Sequence, residues 1–409
     1  MQVRRLDPAA RLVAVLRSDP RAVWAGFAAL SLSCLGDLIT GLTLGSLTGT
    51  LERLPGLIIL VPAAIGMRGN VFGALGSRIS TLAHQGRFRY SRRLDSPVGQ
   101  NVAAAVVLSL STSVALAVFA EVVSSALGVR HPISIGGFVV VSVIGAALSS
   151  IVLLVVTLGV AVYCTRRKLD LDNVAAPVVT TTGDLVTLPS LFLATVLVGI
   201  PWVTGIVGAV CVTAAVVALV YVLRSRSLDV GRRIVLESLP ILALAGAVDV
   251  VVGATLQRRL ESFLALPALL VLVPPFLEES GALGSILSAR ISTKLHLGTL
   301  TSTWGSAVDD ILLVVFYAFP VYLLLGLVTD VAAAITGIDG PGTIQMVFVS
   351  LVGGVLATTA AVVIGLYAAV ATHRLGLDPD SHGVPMVTSS LDLLGVYCLL
   401  FAIALLRLS

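Results

Sequence analysis

The stretch LPGLIILVPAAIGMRGNVFGALGSRISTLAHQG, Leu54 to Gly86, is written a second time as LPALLVLVPPFLEESGALGSILSARISTKLHLG, Leu266 to Gly298. The copies stand 212 residues apart (266 less 54), and the offset holds without a gap from Asp37 and Asp249 onward. A second motif, LDLDNVAAPVVTTTGDL from Leu169, returns as LDPDSHGVPMVTSSLDL from Leu377, 208 residues apart (377 less 169). Both motifs are long, apolar and interrupted by acids. A unit duplicated in one chain, with carboxylates inside hydrocarbon-length segments, points to a pathway for something charged.

Composition sets the class. A hydrophobic fraction of 57%, a charged fraction of 12% and a mean hydropathy of +1.05 exclude an ordinary soluble globule. Backbone groups in lipid must be paired within the chain, so the segments are expected as helices rather than open sheet. The fold class is therefore an all-α polytopic membrane protein. Length and hydropathy predict eleven crossings, at 22–49, 55–84, 98–127, 135–164, 177–200, 202–223, 234–256, 266–296, 304–328, 342–373 and 385–407.

The repeats divide the chain into an N-terminal cytoplasmic segment (1–21), a five-helix repeat (22–200), a linking helix and loop (201–233) and a second five-helix repeat (234–409). An odd linking helix lets both repeats insert the same way up, which predicts a pseudo-two-fold axis along the membrane normal and a central pore between the repeats. Arginines at positions 87, 89, 92, 93, 166, 167, 224, 226, 232 and 233 place the N-terminus in the cytoplasm and the C-terminus outside. Arg258 and Arg259 dissent. The net charge of +4 follows from these loops, which serve topology, and no nucleic-acid partner is expected. The four cysteines form no CxxC pair and read as small packing residues.

The chemistry lies in the acids. Asp184 and Asp392 sit about two turns into their helices, counted from Pro177 and Pro385, which suit a helix start. An ionised carboxylate at that depth costs roughly 2.5–3.5 kcal/mol on insertion scales. Two of them facing one path would repel without a cation or proton between them. Hard oxygen ligands suit Mg²⁺, which keeps much of its water shell. Thr180 and Thr388, four residues earlier on the same faces, are candidate further ligands. Asp37 and Asp249 form a second matched pair, read either as a second cation station or as structural ties. Asp309 and Asp310 read as structural. Pro62, Gly69, Asn70, Gly73, Pro274 and Gly281 mark two helices expected to be interrupted and to line the pathway. The loop acids Asp170, Asp172, Asp378 and Asp380 either dock metal or cap the helices they precede. Glu278 and Glu279 have no acidic match in the first half, where Gly66 and Met67 stand, and make the halves chemically unequal.

At PAAIGMRGN (Pro62–Asn70), SRIST (Ser77–Thr81), ARISTKLH (Ala289–His296) and DNVAAPVVTTTGD (Asp172–Asp184) the chain resembles the MgtE family of magnesium transporters, in its duplicated solute-carrier form. The resemblance implies a doubled five-helix transport unit in the cell membrane, with Asp184 and Asp392 binding Mg²⁺ in the pore and Thr180 or Thr388 contributing. It implies no cofactor beyond Mg²⁺ as the bound and transported ion, and no enzyme activity. The cytoplasmic regulatory domains of bacterial relatives are not found, and a monomer with internal two-fold symmetry is expected. Gly281-Ala282 replaces the Gly-Asn of the first half. Two other readings stay open: a sodium- or proton-coupled Mg²⁺ exporter, and an intramembrane aspartyl protease. The protease reading lacks the GxGD motif of one such class, which would need Gly at Thr181.

Overall fold

A computed structural model describes residues 8–18, 20–88, 91, 93–167, 171–299, 305–377 and 382–408. Every regular element among them is helical: α1 (Pro8–Ser18), α2 (Pro20–Ser46), α3 (Thr48–Arg53), α4 (Leu57–His84), α5 (Pro97–Ala126), α6 (Ile135–Arg167), α7 (Leu171–Ala194), α8 (Pro201–Arg224), α9 (Asp229–Arg258), α10 (Leu260–Ala265), α11 (Pro267–His296), α12 (Gly305–Thr336), α13 (Thr343–Leu375) and α14 (Val384–Leu405), with one 3₁₀ turn after α7. Eleven of these helices are long and apolar enough to cross a membrane, as the sequence predicts. At 1.5 Å per residue, the 30 residues of α11 run about 45 Å, more than a hydrocarbon core requires.

Local sequence explains the ends. Ser96 caps α5, its Oγ accepting from the Gly99 amide at 3.0 Å, with Pro97 in the first turn where no donor is missed. Three expectations change. The prolines do not interrupt α4 or α11: both helices run continuously through Pro62 and through Pro274 and Pro275. Each proline removes one backbone donor, at the sixth position of α4 and the eighth and ninth of α11, and the helices run on because lipid offers the remaining backbone groups no partner but each other. The third helix of the second repeat runs on through Pro320 to Thr336, because the apolar sequence continues beyond the expected end at 328. Arg232 and Arg233, expected in a loop, begin α9 instead.

Compactness groups the helices in two units that cut across the repeats: residues 43–264, here the α4 unit, and residues 1–42 with 265–409, the α11 unit. In the α4 unit, α4 is the central helix and packs on α5, α6, α7 and α9; α8 lies against α6 and α5. In the α11 unit, α11 packs on α12, α13 and α14, and α13 bridges α12 and α14. The leading helix of each sequence repeat thus belongs to the unit built from the other repeat's helices: α9 with α4 and α5, and most of α2 with α11 and α12.

The leading helices dock at glycines. A Cβ built on Gly253 would collide with the carbonyl oxygen of Ile59, and one on Gly41 with that of Val271. These are matched positions, since Gly41 and Gly253, and Ile59 and Val271, each differ by the offset of 212. Only a residue without a side chain lets the backbones come this close, the contact that replaces hydrophobic drive between helices in lipid.

Candidate intramembrane cation site

In the α4 unit two contacts fix how the leading helix lies. Gly253 meets Ile59, and a Cβ on Gly246 would stand 2.8 Å from Cε of Met67. The chain numbers fall along α9 as they rise along α4, so the helices are antiparallel. Asp249 lies one turn from Gly253, about 6 Å along the axis, and is fully buried. From α7, a Cβ built on Gly183 would stand 3.9 Å from Cβ of Arg68. Asp184, the next residue and 4% exposed, therefore lies level with Arg68 of α4.

Arg68 is a residue that the sequence reading quoted within a motif and did not single out. Its guanidinium is buried, 1% exposed, and turns to hydroxyls on α5 and α6. Nη1 donates to Ser109 and, at 3.5 Å, to Ser150; Nη2 donates to Ser113 at 2.8 Å. Ser109 and Ser150 bond to each other at 2.7 Å. No carboxylate pairs with it among the described residues. The available signal was a lone cation in the middle of a 28-residue apolar helix, which lipid tolerates only when it is turned to polar partners.

The α11 unit repeats the frame with other chemistry. Gly41 meets Val271 as Gly253 meets Ile59, and the Cys34 thiol lies within electrostatic reach of Glu279 and Asp37. Cys34 and Glu279 occupy the positions of Gly246 and Met67. Asp37 is buried and accepts from Ser33 Oγ at 3.3 Å. On another face of α11, a Cβ built on Gly281 would stand 3.5 Å from Thr388 Cγ2, and one on Gly395 would stand 3.0 Å from Leu277 Cδ2. Asp392, between Thr388 and Gly395 on half-buried α14 surface, is thereby level with Glu278 to Gly281. The Thr388 hydroxyl donates to the carbonyls of Val384 and Pro385 at 3.1 and 3.2 Å, which leaves oxygen lone pairs for a cation.

The other expected residues divide between the units. Thr180 is half-buried on α7, one turn from Asp184. Gly69 and Gly73 face open space, with no atom within 4 Å of an added Cβ. Asn70 has a buried Nδ2 without a hydrogen-bond partner among the described residues. Pro62 and Pro274 are half-buried near the starts of their helices. Asp310, read as structural, is buried and paired with Arg290 at 2.8 Å and with Lys294. The pair ties Arg290 of α11 to α12. Asp170, Asp378 and Asp380 lie outside the described residues. Among the described residues, no three His, Cys, Asp or Glu side chains gather as a cage for a bare metal.

Comparison with known proteins bears on this arrangement. The MgtE family model, described as a divalent cation transporter, matches residues 61–194 and again 273–402. Solute carrier family 41 member 2 of Homo sapiens is 25% identical over 372 residues, 83% of this chain and 62% of that protein. Solute carrier family 41 member 3 of Mus musculus is 27% identical over 368 residues, covering 83% of this chain and 73% of the relative. The member 3 protein of Rattus norvegicus is 26% identical over 395 residues, 89% and 83% of the two chains. The chain spans 62% of the length of the member 2 relatives from Gallus gallus and Homo sapiens. No solved structure matches it.

Proposed function

This chain belongs to the MgtE family of divalent cation transporters, and from that premise we propose that it moves a hydrated divalent cation, Mg²⁺ first, across the membrane, with Asp184 and Asp392 as the carboxylates that meet the ion. The observation that carries the reading is their matched setting. Each lies one turn after a threonine, on a helix packed against the central helix of its unit, at a depth where an ionised acid is costly without a cation. The lack of a three-ligand cage among the described residues favours an ion that keeps its water, as Mg²⁺ does. Gly69, Gly73 and Asn70 on α4, with open space or a spare donor, suit a wet path beside Asp184. Asp37 and Asp249 lie on the other face of the central helices and act as a second layer of charge. An N-terminus in the cytoplasm and action as a monomer complete the reading.

The test is Mg²⁺ flux into proteoliposomes carrying the purified wild type or the double variant Asp184→Asn/Asp392→Asn. Flux in the wild type that falls to background in a variant with an unchanged unfolding temperature supports the assignment. Undiminished flux in the variant overturns it.

A further inference from the structure

His296 ends α11 and His373 stands in the last turn of α13, two helices that pack together within the α11 unit. Their imidazole rings meet edge to face, with centroids 4.9 Å apart and planes at 85°. Neither is among the residues assigned to the transported ion. His296 Nδ1 stands 2.8 Å from the carbonyl oxygen of Ser292. A carbonyl only accepts, so Nδ1 carries the proton and donates, and Nε2 keeps its lone pair. A backbone carbonyl holding the other ring nitrogen is the usual outer partner of a metal-binding histidine. Both side chains are exposed, at the ends of their apolar spans, where a dissolved ion can reach them.

We propose that His296 and His373 form a two-imidazole site for a transition-metal ion of the Zn²⁺, Cu²⁺ or Ni²⁺ class, separate from the Mg²⁺ path, and that the bound metal ties the ends of α11 and α13 together. The spacing fits. At a Zn–N distance of about 2.0–2.1 Å a ring centroid lies about 3 Å from the metal, so two rings in a tetrahedral array have centroids about 5 Å apart. From the observed 4.9 Å, rotation about the soft terminal torsions of the rings is enough to aim two lone pairs at one point. Imidazole takes such metals in preference to Mg²⁺, which is held by oxygen. No third His, Cys, Asp or Glu gathers with the pair among the described residues, so the remaining coordination positions fall to water and the ion is exchangeable. Positive charge nearby is contained. Lys294 is already paired with Asp310, and Arg374 is exposed, where solvent and salt screen it. The α4 unit holds half of the site. His84 matches His296 at the offset of 212, but Thr165 stands where His373 does at the offset of 208, its hydroxyl turned back to the Ala161 carbonyl at 2.7 Å.

The experiment uses the full chain in lipid nanodiscs, without a polyhistidine tag, as wild type, His296→Ala, His373→Ala and, for the other unit, His84→Ala. Cu²⁺ and Zn²⁺ are the probes. Electron paramagnetic resonance at one Cu²⁺ per chain counts the ligating nitrogens, and the Zn²⁺ dependence of the unfolding temperature reads binding to the folded state. The wild type should show two nitrogens and a Zn²⁺-dependent rise in unfolding temperature that persists in excess Mg²⁺. His296→Ala and His373→Ala should each lose a nitrogen and weaken Zn²⁺ by at least about tenfold, the least that loss of even an outer partner costs. His84→Ala should behave as wild type. Fewer than two nitrogens in the wild type overturns the proposal, as does a Zn²⁺ response that survives both substitutions in the α11 unit. A Zn²⁺ response abolished by excess Mg²⁺ overturns it too, because the metal then sits at the carboxylates of the transport path. If an alanine variant does not fold, the wild-type spectrum and His373→Gln decide the matter. Neither readout involves flux, so failure of the transport reading leaves this test intact.

Discussion

In the α4 unit, the layer beside the leading-helix aspartate holds Met67 and the buried guanidinium of Arg68; in the α11 unit, the same layer holds Glu279 and Ser280. The backbone contact one layer away is unchanged, with Gly253 on Ile59 and Gly41 on Val271. The frame and the charge have therefore been handled separately. Where two backbones touch, sterics leave one choice. One turn further, the packing accepts a thioether or a carboxyl, and a guanidinium or a hydroxyl. What differs is a fixed positive charge in one unit and a titratable negative one in the other, each level with the aspartate assigned to the ion.

The largest effect should come from breaking the shared frame. Gly41→Val and Gly253→Val each push a branched side chain into a carbonyl oxygen that belongs to helix backbone and cannot step aside. Overpacking of this kind costs about 3 kcal/mol, and both variants should show a large, similar drop in unfolding temperature in detergent. A markedly smaller drop at one site would mean that its leading helix is held by something other than the glycine contact.

Next comes a buried tie of the α11 unit. Asp310, 1% exposed, holds Arg290 and Lys294, whose side chains are 46% and 30% exposed. Asp310→Asn leaves two partly solvated cations facing an amide. Because water screens both, the expected loss is about 1–2 kcal/mol rather than that of a fully buried pair. The matching layer of α5 has Asn101, which donates to the Pro97 carbonyl at 2.9 Å. Asn101→Ala should cost less than Asp310→Asn in the same unfolding assay, and the reverse order would contradict the comparison.

Much of this was legible in the chain, for physical reasons. Apolar length gives the eleven spans, since lipid leaves a helix no alternative, and the offset of 212 pairs Asp37 with Asp249 before any coordinates. The asymmetry at Glu278 and Glu279 was visible as an unmatched pair of acids. Three things were not legible. That α4 and α11 stay helical through Pro62 and Pro274 depends on how the surrounding helices hold them, which the prolines themselves do not announce. That α2 packs with the second repeat's helices and α9 with the first's is a matter of long-range packing, on which hydropathy is silent. The role of Arg68 depended on three serines from two other helices, whose convergence no spacing within α4 reveals.

Arg68 gives a smaller and more discriminating prediction. A buried charge without a counter-charge adds little net stability, and an apolar residue of similar length often replaces it at no loss. Ser113 already donates to the Ser109 carbonyl at 2.7 Å, and Ser109 and Ser150 bond each other, so the hydroxyls keep partners without the guanidinium. Arg68→Met should leave stability within about 1 kcal/mol while strengthening Mg²⁺ binding, because it removes a positive charge level with Asp184. Unfolding of the variant would make Arg68 a structural tie and remove the electrostatic half of the contrast between the units.

The smallest effect belongs to an ion pair in a loop ahead of α5 in the α4 unit. Arg93 forks onto Asp95, Nε to Oδ1 at 3.1 Å and Nη2 to Oδ2 at 2.9 Å, with both side chains well exposed. The guanidinium's hydrogen bond holds the Asp95 carboxyl below its usual range and moves Arg93 up. A carboxyl with a lowered folded-state value stabilises above its unfolded value and loses that contribution as pH falls through the folded one. The pair thus helps at neutral pH and stops helping in acid. Exposed pairs are screened by water and salt, so Asp95→Asn should change the unfolding temperature barely at neutral pH and not at all in strong acid. High salt should erase even the neutral-pH difference. A shift at neutral pH as large as that of Asp310→Asn would show that exposure does not set the worth of an ion pair in this protein, and the ordering of effects from buried frame to solvated loop would fail with it.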